Sequence, residues 1–272
     1  MSNSQAEKGL KLRALHAGPE PLVIPNPWDA GSARLLEALG FSALATSSYA
    51  AAGTLGRKDY GLQCEDVLSM AKSIVEAVDL PVSADLENGF GDRPEDAAET
   101  IRRAAELGLV GGSIEDAAGG AAPYDLTLAT ERIAAAAEAV KKLPFPFVLV
   151  ARAENYARGV TNLDDTIKRL QAYERAGAEV LFAPGLPDLA AIRTVSTAVK
   201  APLNVVGTMQ NGALSVAELK AAGVRRISLA ASFYRAAMSG LNDAAREVRE
   251  RGTFTFVQKG MAPAELGRVM RG

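Results

Sequence analysis

Short apolar runs alternate along the chain with longer amphipathic segments that are rich in alanine. The longer segments, such as PEDAAETIRRAAEL and LDDTIKRLQAYERA, carry apolar residues at three- and four-residue spacing, which predicts helices. A regular strand-then-helix order predicts a parallel sheet with helices on its outside. The short runs predict eight strands, at 22–25, 42–46, 81–85, 110–115, 147–152, 179–183, 203–206 and 226–230.

A weak internal repeat supports this order. The stretches LGFSAL, LGLVGG, AGAEVL and AGVRRI each end a helical pattern with a glycine that can take the left-handed conformation before the next strand begins; these glycines are Gly40, Gly108, Gly177 and Gly223. Pro94 and Ser215 mark the starts of two helices. Eight such units favour a closed (β/α)8 TIM barrel over an open sheet.

The chain has 272 residues and contains no linker rich in proline, glycine or serine. Residues 1–272 are therefore predicted to form a single barrel domain. The glycine-containing stretches 51–61 and 116–125 follow strand ends, so we expect both to be loops on the functional face of the barrel.

Composition narrows the class of protein. Hydrophobic residues make up 48% and charged residues 23% of the chain, and the formal net charge is −2. This balance argues against a nucleic-acid partner, which usually needs a basic surface. No apolar run reaches the roughly 18 residues of a membrane span, and the polar N-terminal stretch does not resemble a signal peptide. With Cys64 as the one cysteine, we expect a cytoplasmic protein without membrane association.

The final segment continues beyond the eighth predicted strand. Residues 241–272 read as a helix, a short apolar piece and a second helix. Their apolar side chains need a partner, so we expect this tail at a subunit interface of a homo-oligomer, a dimer or a tetramer. His16, which precedes the first strand, is expected at the surface or near a helix end.

Acidic residues follow two neighbouring strands. Asp85 and Glu87 end the third strand and Glu115 ends the fourth. In a barrel these positions meet at one mouth, where their charges repel unless a cation offsets them. Oxygen ligands of this kind suit Mg²⁺ or Mn²⁺. The alternative is that these residues cap the following helices.

Arg152 ends the apolar fifth strand, where a charge is costly without a partner. Its planar guanidinium matches a substrate carboxylate. A structural ion pair with Glu115 or Glu154 is the alternative.

These motifs together resemble a known family. The chain resembles the isocitrate lyase/phosphoenolpyruvate mutase superfamily in five stretches. In chain order they are NPWDAGSARLLEALGF, TSSYAAAGTLGRKD, VSADLENGFG, GGSIED and VARAEN. The resemblance runs from about Asn26 to Asn204. It implies a (β/α)8 barrel whose last helix is exchanged with a neighbouring subunit, usually in a tetramer. It also implies Mg²⁺ and a small 2-oxo or 2-hydroxy carboxylate substrate.

The resemblance also implies roles for individual residues. By this resemblance, Asp85 occupies the position of the primary Mg²⁺ ligand. Glu87 and Glu115 occupy the positions of two further acids that contact the metal directly or through bound waters. Asp59 matches an acid that reaches the metal-bound waters or the substrate. The residues that the resemblance implies for substrate binding are Ser47, Ser48, Tyr49, Arg152 and Asn204.

The chain departs from the family in the loop after the fourth strand. Lyases carry a Lys-Lys/Arg-Cys-Gly-His motif there, and mutases and phosphonopyruvate hydrolases carry a lysine. This chain has DAAGGAAPYD, with no cysteine, lysine or histidine. The lyase glutamate after the sixth strand is replaced, at Pro184.

We therefore expect a Mg²⁺-dependent lyase that breaks a C–C bond through a stabilised enolate. Decarboxylation of the oxaloacetate kind is favoured because it needs no base to deprotonate a hydroxyl. Water, Tyr49 or Tyr124 would then protonate the enolate. The alternatives are a P–C bond enzyme of the phosphonopyruvate type, a methylisocitrate lyase-like enzyme whose base is Tyr49, Asp59 or a partner's group, and a barrel that only binds dicarboxylates. A Schiff-base aldolase is disfavoured because none of these strand ends carries a lysine.

Overall fold

The structure is a computed structural model that describes residues 3–119, 121–209 and 212–270. Eight parallel strands form a nearly closed barrel, as the sequence predicts. The strand order is β1-β10-β7-β6-β5-β4-β3-β2. The main-chain N–H of Ala45 donates to the carbonyl of Pro25 at 3.0 Å and links the two ends of this sheet. The barrel strands are β1 Leu22–Ile24, β2 Leu44–Ala45, β3 Val82–Asp85, β4 Gly111–Glu115, β5 Val148–Arg152, β6 Val180–Phe182, β7 Leu203–Val206 and β10 Arg226–Ser228.

Helices follow the strands on the outside of the barrel. They are α1 Gln5–Ala17, α2 Ala30–Ala38, α3 Ser48–Thr54, α4 Cys64–Ala77, α5 Pro94–Glu106, α6 Leu126–Lys141, α7 Leu163–Ala176, α8 Leu189–Ala198, α9 Val216–Ala221, α10 Ser232–Arg251 and α11 Pro263–Val269, with a short 3₁₀ helix at Thr255–Lys259. None of the helices in the described part of the chain has the length and apolar character needed to cross a membrane.

The residues predicted to start and end several helices are confirmed. Pro94 opens α5, and Ser215 caps α9 in a reciprocal pair of hydrogen bonds with Glu218. All four repeat glycines have positive φ, from 87° at Gly40 to 110° at Gly177. Each therefore turns the chain from a helix toward the next strand in a conformation that side chains with a Cβ disfavour.

Two details of the prediction need correction. The stretch 51–61 was expected to be a loop, but its first part belongs to α3, which Ser47 caps by accepting from the N–H of Ala50. Alanine has the highest intrinsic preference for a helix, and the buried alanines of this helix also pack on the core. A small antiparallel pair, β8 Thr208–Met209 and β9 Gly212–Ala213, also lies between β7 and α9.

Two apolar regions hold the fold together. The larger lies between the sheet and the surrounding helices, and the smaller fills the barrel interior. Leu12 of α1 belongs to the interior region together with Val148 and Val180, so α1 covers the amino-terminal end of the barrel. Gly111 makes room for it, because a Cβ there would come within 3.1 Å of the Leu12 side chain.

His16 lies in the last turn of α1, as the expected position near a helix end requires, but it is buried and not at the surface. Its Nδ1 is 2.8 Å from the carbonyl of Leu12. Because α1 lies under the barrel, its last turn faces the interior and not solvent.

Candidate functional site

A small cavity opens inside the barrel at the carboxyl ends of the strands. Space for water-sized groups within it amounts to about 90 Å³, which restricts a ligand to a small molecule. Asp85 and Arg152 line the cavity, together with Ser47, Asn204 and Ser228. The structure therefore brings four of the residues singled out in the sequence, namely Ser47, Asp85, Arg152 and Asn204, to the lining of one cavity.

Asp85 is held in a fixed orientation at the end of β3. Its Oδ2 accepts hydrogen bonds from the main-chain N–H of Ser48 at 3.1 Å and from the Ser48 hydroxyl at 2.9 Å. The N–H of Asp85 donates to the Thr46 hydroxyl at 2.9 Å. Ser48, predicted to bind substrate, thus directs its two donors to the predicted metal ligand.

Glu87 lies beside Asp85 in a strained turn, with a φ of 49°. It is buried, and its Oε1 has no hydrogen-bond partner among the described residues. Burial, reinforced by the negative charges of Asp85 and Asp59, raises the pKa of Glu87 to about 8. A buried carboxylate oxygen without a hydrogen-bond partner, next to two other acids, fits a site where a cation would offset the negative charges.

Glu115 at the end of β4 lies between two arginines. Its Oε2 is 3.3 Å from Arg152 Nη1, and its Oε1 is 3.4 Å from Arg158 Nη2. Burial raises the pKa of Glu115, and the charge of Arg152 opposes this increase. Arg152 Nε also contacts Glu154, and its Nη1 is 3.9 Å from Asp85. Arg152 therefore forms ion pairs with both Glu115 and Glu154, the partners expected if its role is structural.

Asp59 and Tyr60 form the rim above this cluster. Partial burial and repulsion from Asp85 raise the pKa of Asp59. The Tyr60 hydroxyl accepts a hydrogen bond from Arg158, whose guanidinium lies 4.8 Å from the centre of the Tyr60 ring. Arg158 is thereby fixed over Glu115.

The cluster carries an excess of acid. Five carboxylates face two guanidinium groups; the acids are Asp59, Asp85, Glu87, Glu115 and Glu154, and the bases are Arg152 and Arg158. Within the described residues, no three His, Cys, Asp or Glu side chains are placed to hold a metal ion directly. The donor set therefore fits a hard cation that keeps several waters, with Asp85 as the oriented ligand.

The other predicted substrate-binding residues differ in position. Ser47 and Asn204 line the cavity, and the Asn204 amide donates to the Ser228 hydroxyl at 3.1 Å. Tyr49 lies on α3 with 45% of its surface exposed and does not line the cavity. Tyr124 does not line it either, because its hydroxyl donates to Asp92 at 2.6 Å.

The loop 116–125 is closed at its base. Ala117 and Pro123 form an antiparallel bridge, and the N–H of Tyr124 donates to the carbonyl of Asp116 at 2.7 Å. Asn88 donates to the Tyr124 hydroxyl at 2.8 Å. The end of the loop is thus tied to the turn that follows β3.

Asp116, next to Glu115, faces away from the cavity. Its oxygens accept from the N–H of Glu154 at 2.8 Å, from Arg169 at 3.0 Å and from the Tyr173 hydroxyl at 2.6 Å. It joins β4 to β5 and α7, which is a structural role.

Sequence reasoning missed two arginines at the site. Arg158 lies one helical turn beyond Glu154, a spacing that could have signalled an ion pair. Arg226 lines the cavity from β10, and its two-residue spacing from Ser228 could have placed both on the inward face.

The molecule is a (β/α)8 barrel. Its cluster of carboxylates and a buried arginine lies at the carboxyl ends of the strands, where barrels of this class carry their functional sites. Residues 12–249 match the family described as phosphoenolpyruvate phosphomutase. The chain belongs to this family, within the isocitrate lyase/phosphoenolpyruvate mutase superfamily predicted from its motifs.

Two relatives illustrate the range of the family. The chain is 32% identical over 257 residues to 2-methylisocitrate lyase of Escherichia coli K12, covering 90% of this chain and 86% of that protein. It is 31% identical over 269 residues to oxaloacetate decarboxylase of Bradyrhizobium diazoefficiens, covering 96% and 92%. A crystal structure of a provisionally described lyase/mutase from Burkholderia cenocepacia J2315 is 52% identical, with a TM-score of 0.94 and coverage of 97% and 95%.

Proposed function

We propose that the chain is a Mg²⁺-dependent or Mn²⁺-dependent lyase that breaks a C–C bond in a small 2-oxo or 2-hydroxy carboxylate, with β-decarboxylation of an oxaloacetate-like acid as the favoured reaction. The observation that carries this proposal is the excess of carboxylate around Asp85, next to Arg152, in a cavity for a small ligand. The relatives support it, since they include a decarboxylase and a lyase of substituted isocitrate.

Asp85 would hold the metal, with Glu87 and Glu115 in contact through water. When bound, the metal would withdraw electrons from the carboxylate and 2-oxo oxygens of the substrate. Arg152 lies within reach of the same oxygens and opposes the negative charge that develops on the 2-oxo oxygen as the C–C bond breaks. Ser48 keeps the Asp85 carboxylate oriented throughout.

The choice of decarboxylation rests on the side chains around the cavity. In the described part of the chain its lining contains no cysteine, lysine, histidine or tyrosine. Retro-aldol cleavage needs a base to take the proton of a hydroxyl group, whereas loss of CO₂ from a β-keto acid does not. The lining residues therefore favour decarboxylation, because this reaction needs no base to deprotonate a hydroxyl group.

A substrate screen tests the proposal. The protein is incubated with Mg²⁺ and a panel of 2-oxo and 2-hydroxy di- and tricarboxylates, and release of pyruvate, glyoxylate and CO₂ is measured. We expect pyruvate and CO₂ from oxaloacetate above the rate with Mg²⁺ alone. Glyoxylate from isocitrate or 2-methylisocitrate at enzymatic rates would contradict the choice of decarboxylation. Turnover of phosphonopyruvate would indicate a P–C bond enzyme, and stabilisation by oxalate or malonate without turnover would indicate a binding protein.

We also infer that the chain forms a homo-oligomer through its C-terminal tail, with the last helix exchanged between subunits. Within α10 only Glu247 is buried. The tail exposes large apolar side chains, with exposed fractions of 61% at Leu241, 62% at Phe254 and 63% at Val257. Burying this surface against a second copy would remove it from water.

A further inference from the structure

Arg226 is a buried arginine inside the barrel. It lies on β10, opposite Leu22 of β1 and Asn204 of β7. Only 5% of the residue is exposed, and its side chain lines the same cavity as Arg152 and Asp85.

No acidic group compensates this charge in the described part of the chain. Among the described residues no charged group acts on Arg226, and its Nε and Nη1 have no hydrogen-bond partner there. Burial without an opposing charge lowers the pKa of Arg226 to about 10, so the guanidinium remains charged at neutral pH. The nearby His16 is neutral at pH 7, because burial and the charge of Arg226 lower its pKa to about 4, and an imidazole supplies no negative charge in either of these protonation states.

Two other arginines with buried guanidinium groups show what a structural arginine looks like in this protein. Arg169 contacts the carboxylates of Asp116 and Asp165. Arg132 donates to the main-chain carbonyls of Asn88 and Arg93. Arg226 differs from both, since a buried charge without such partners is costly to the fold.

The groups beside Arg226 can also bind an anion. Asn204 is buried, and its Oδ1 has no donor among the described residues. Its amide lies against the Ser228 hydroxyl, and rotating the amide by half a turn would present its NH₂ group to a ligand. The cavity is therefore lined by two arginines with different surroundings. Arg152 lies among carboxylates, whereas Arg226 has no carboxylate partner among the described residues.

We propose that Arg226, Asn204 and Ser228 form an anion subsite that takes the second carboxylate of a dicarboxylate ligand. The site thereby selects dicarboxylates over monocarboxylates of the same length. This proposal rests on the proposed function only in placing the first carboxylate of the ligand at the Asp85 and Arg152 end.

The subsite acts on binding and not on bond breaking. In a β-keto diacid, the carboxylate held by Arg226 is the one that leaves as CO₂, with its electron pair remaining on the rest of the molecule. Its negative charge therefore moves away from Arg226 during the reaction, so the guanidinium stabilises the bound substrate more than the transition state. Loss of Arg226 should raise KM for such a substrate and leave kcat unchanged or higher.

Binding of two matched ligands tests the subsite. Affinities for malate and 2-hydroxybutanoate, which share a four-carbon skeleton and differ in the second carboxylate, are measured by calorimetry with Mg²⁺ present. Charge-assisted hydrogen bonds predict that malate binds about 10- to 100-fold more tightly. In Arg226→Met this preference should vanish, while oxalate, which we expect to bind at the Asp85 and Arg152 end, should bind as before.

The matched control is Arg225→Met, which removes the adjacent, exposed arginine and should leave the preference intact. Without ligand, Arg226→Met should melt no lower than the parent protein, because it removes an unpaired buried charge. Should that variant fail to fold, Arg226→Lys, which keeps the charge, is used and should retain part of the preference.

The outcomes separate the two proposals. Equal affinity for malate and 2-hydroxybutanoate in the parent protein, or an undiminished preference in Arg226→Met, would overturn the subsite. A lower melting temperature of ligand-free Arg226→Met with the preference retained would show a structural role instead. Failure of oxalate to bind, with malate still bound through Arg226, would overturn the metal end and leave the subsite standing.

Discussion

Replacing Asp116 by asparagine should destabilise the barrel without touching the cavity. The carboxylate is 3% exposed and accepts three hydrogen bonds, from the N–H of Glu154, from Arg169 and from Tyr173. Asparagine keeps the shape and one acceptor oxygen. Its NH₂ group, however, faces donors from Arg169 and Tyr173, so those groups lose their acceptor.

The size of the effect follows from these contacts. Removing one partner of a buried ion pair typically costs about 3–5 kcal/mol. Arg169 keeps a second carboxylate, Asp165, at 2.8 Å, so we expect the lower end, about 3 kcal/mol. For a chain of this size that loss corresponds to a decrease in melting temperature of about 6 °C.

Urea and thermal unfolding, followed by circular dichroism, measure the change. Asp125→Asn serves as the control, because Asp125 caps α6 at the surface and asparagine caps equally well. A double-mutant cycle with Arg169→Met should show that the two losses are not additive. If Asp116→Asn lies within about 1 kcal/mol of the parent protein, the reasoning about this buried pair is wrong.

Three further predictions concern other parts of the molecule. Asp85→Ala should lose Mg²⁺-dependent stabilisation and activity while keeping its far-ultraviolet spectrum; unchanged metal affinity would contradict the proposed metal site. Truncation after Arg251 should yield smaller or aggregating species in sedimentation, and a well-behaved parent protein that sediments as a monomer would contradict the proposed tail interface. Because folded His16 has a pKa of about 4 against 6.5 for the free group, the unfolded chain binds the extra proton between these values, so stability falls as pH is lowered through this range. His16→Gln should lack this contribution of about 3 kcal/mol in denaturation midpoints compared at pH 7 and pH 4; an equal decrease in both proteins would refute it.

The fold was predictable because buried parallel strands appear as short apolar runs and the turns between units need glycine. Gly177 shows this, since its φ of 110° follows directly from its place after α7. The convergence of Asp85 and Glu115 was predictable for a related reason, as parallel strands in a barrel end at one mouth.

Features that depend on distant parts of the chain were not predictable. The burial of α3 depends on distant residues, because Ala51 and Ala52 pack in the apolar region between the sheet and the helices. Asp116 is structural because Arg169 and Tyr173 come to it from α7, far along the chain. The burial of His16 likewise depends on where the barrel lies relative to α1.

The position of α1 has a consequence for the order in which the protein is made. Helix α1 precedes several of its partners in chain order, because those partners belong to strands that are synthesised later. Arg13 pairs with Glu179, 166 residues away, and Leu12 packs with Val180 at the start of β6. Contacts over such separations form slowly. Part of the apolar face of α1 therefore stays uncovered until β6 has been synthesised, which makes α1 a segment of the nascent chain that a chaperone can protect.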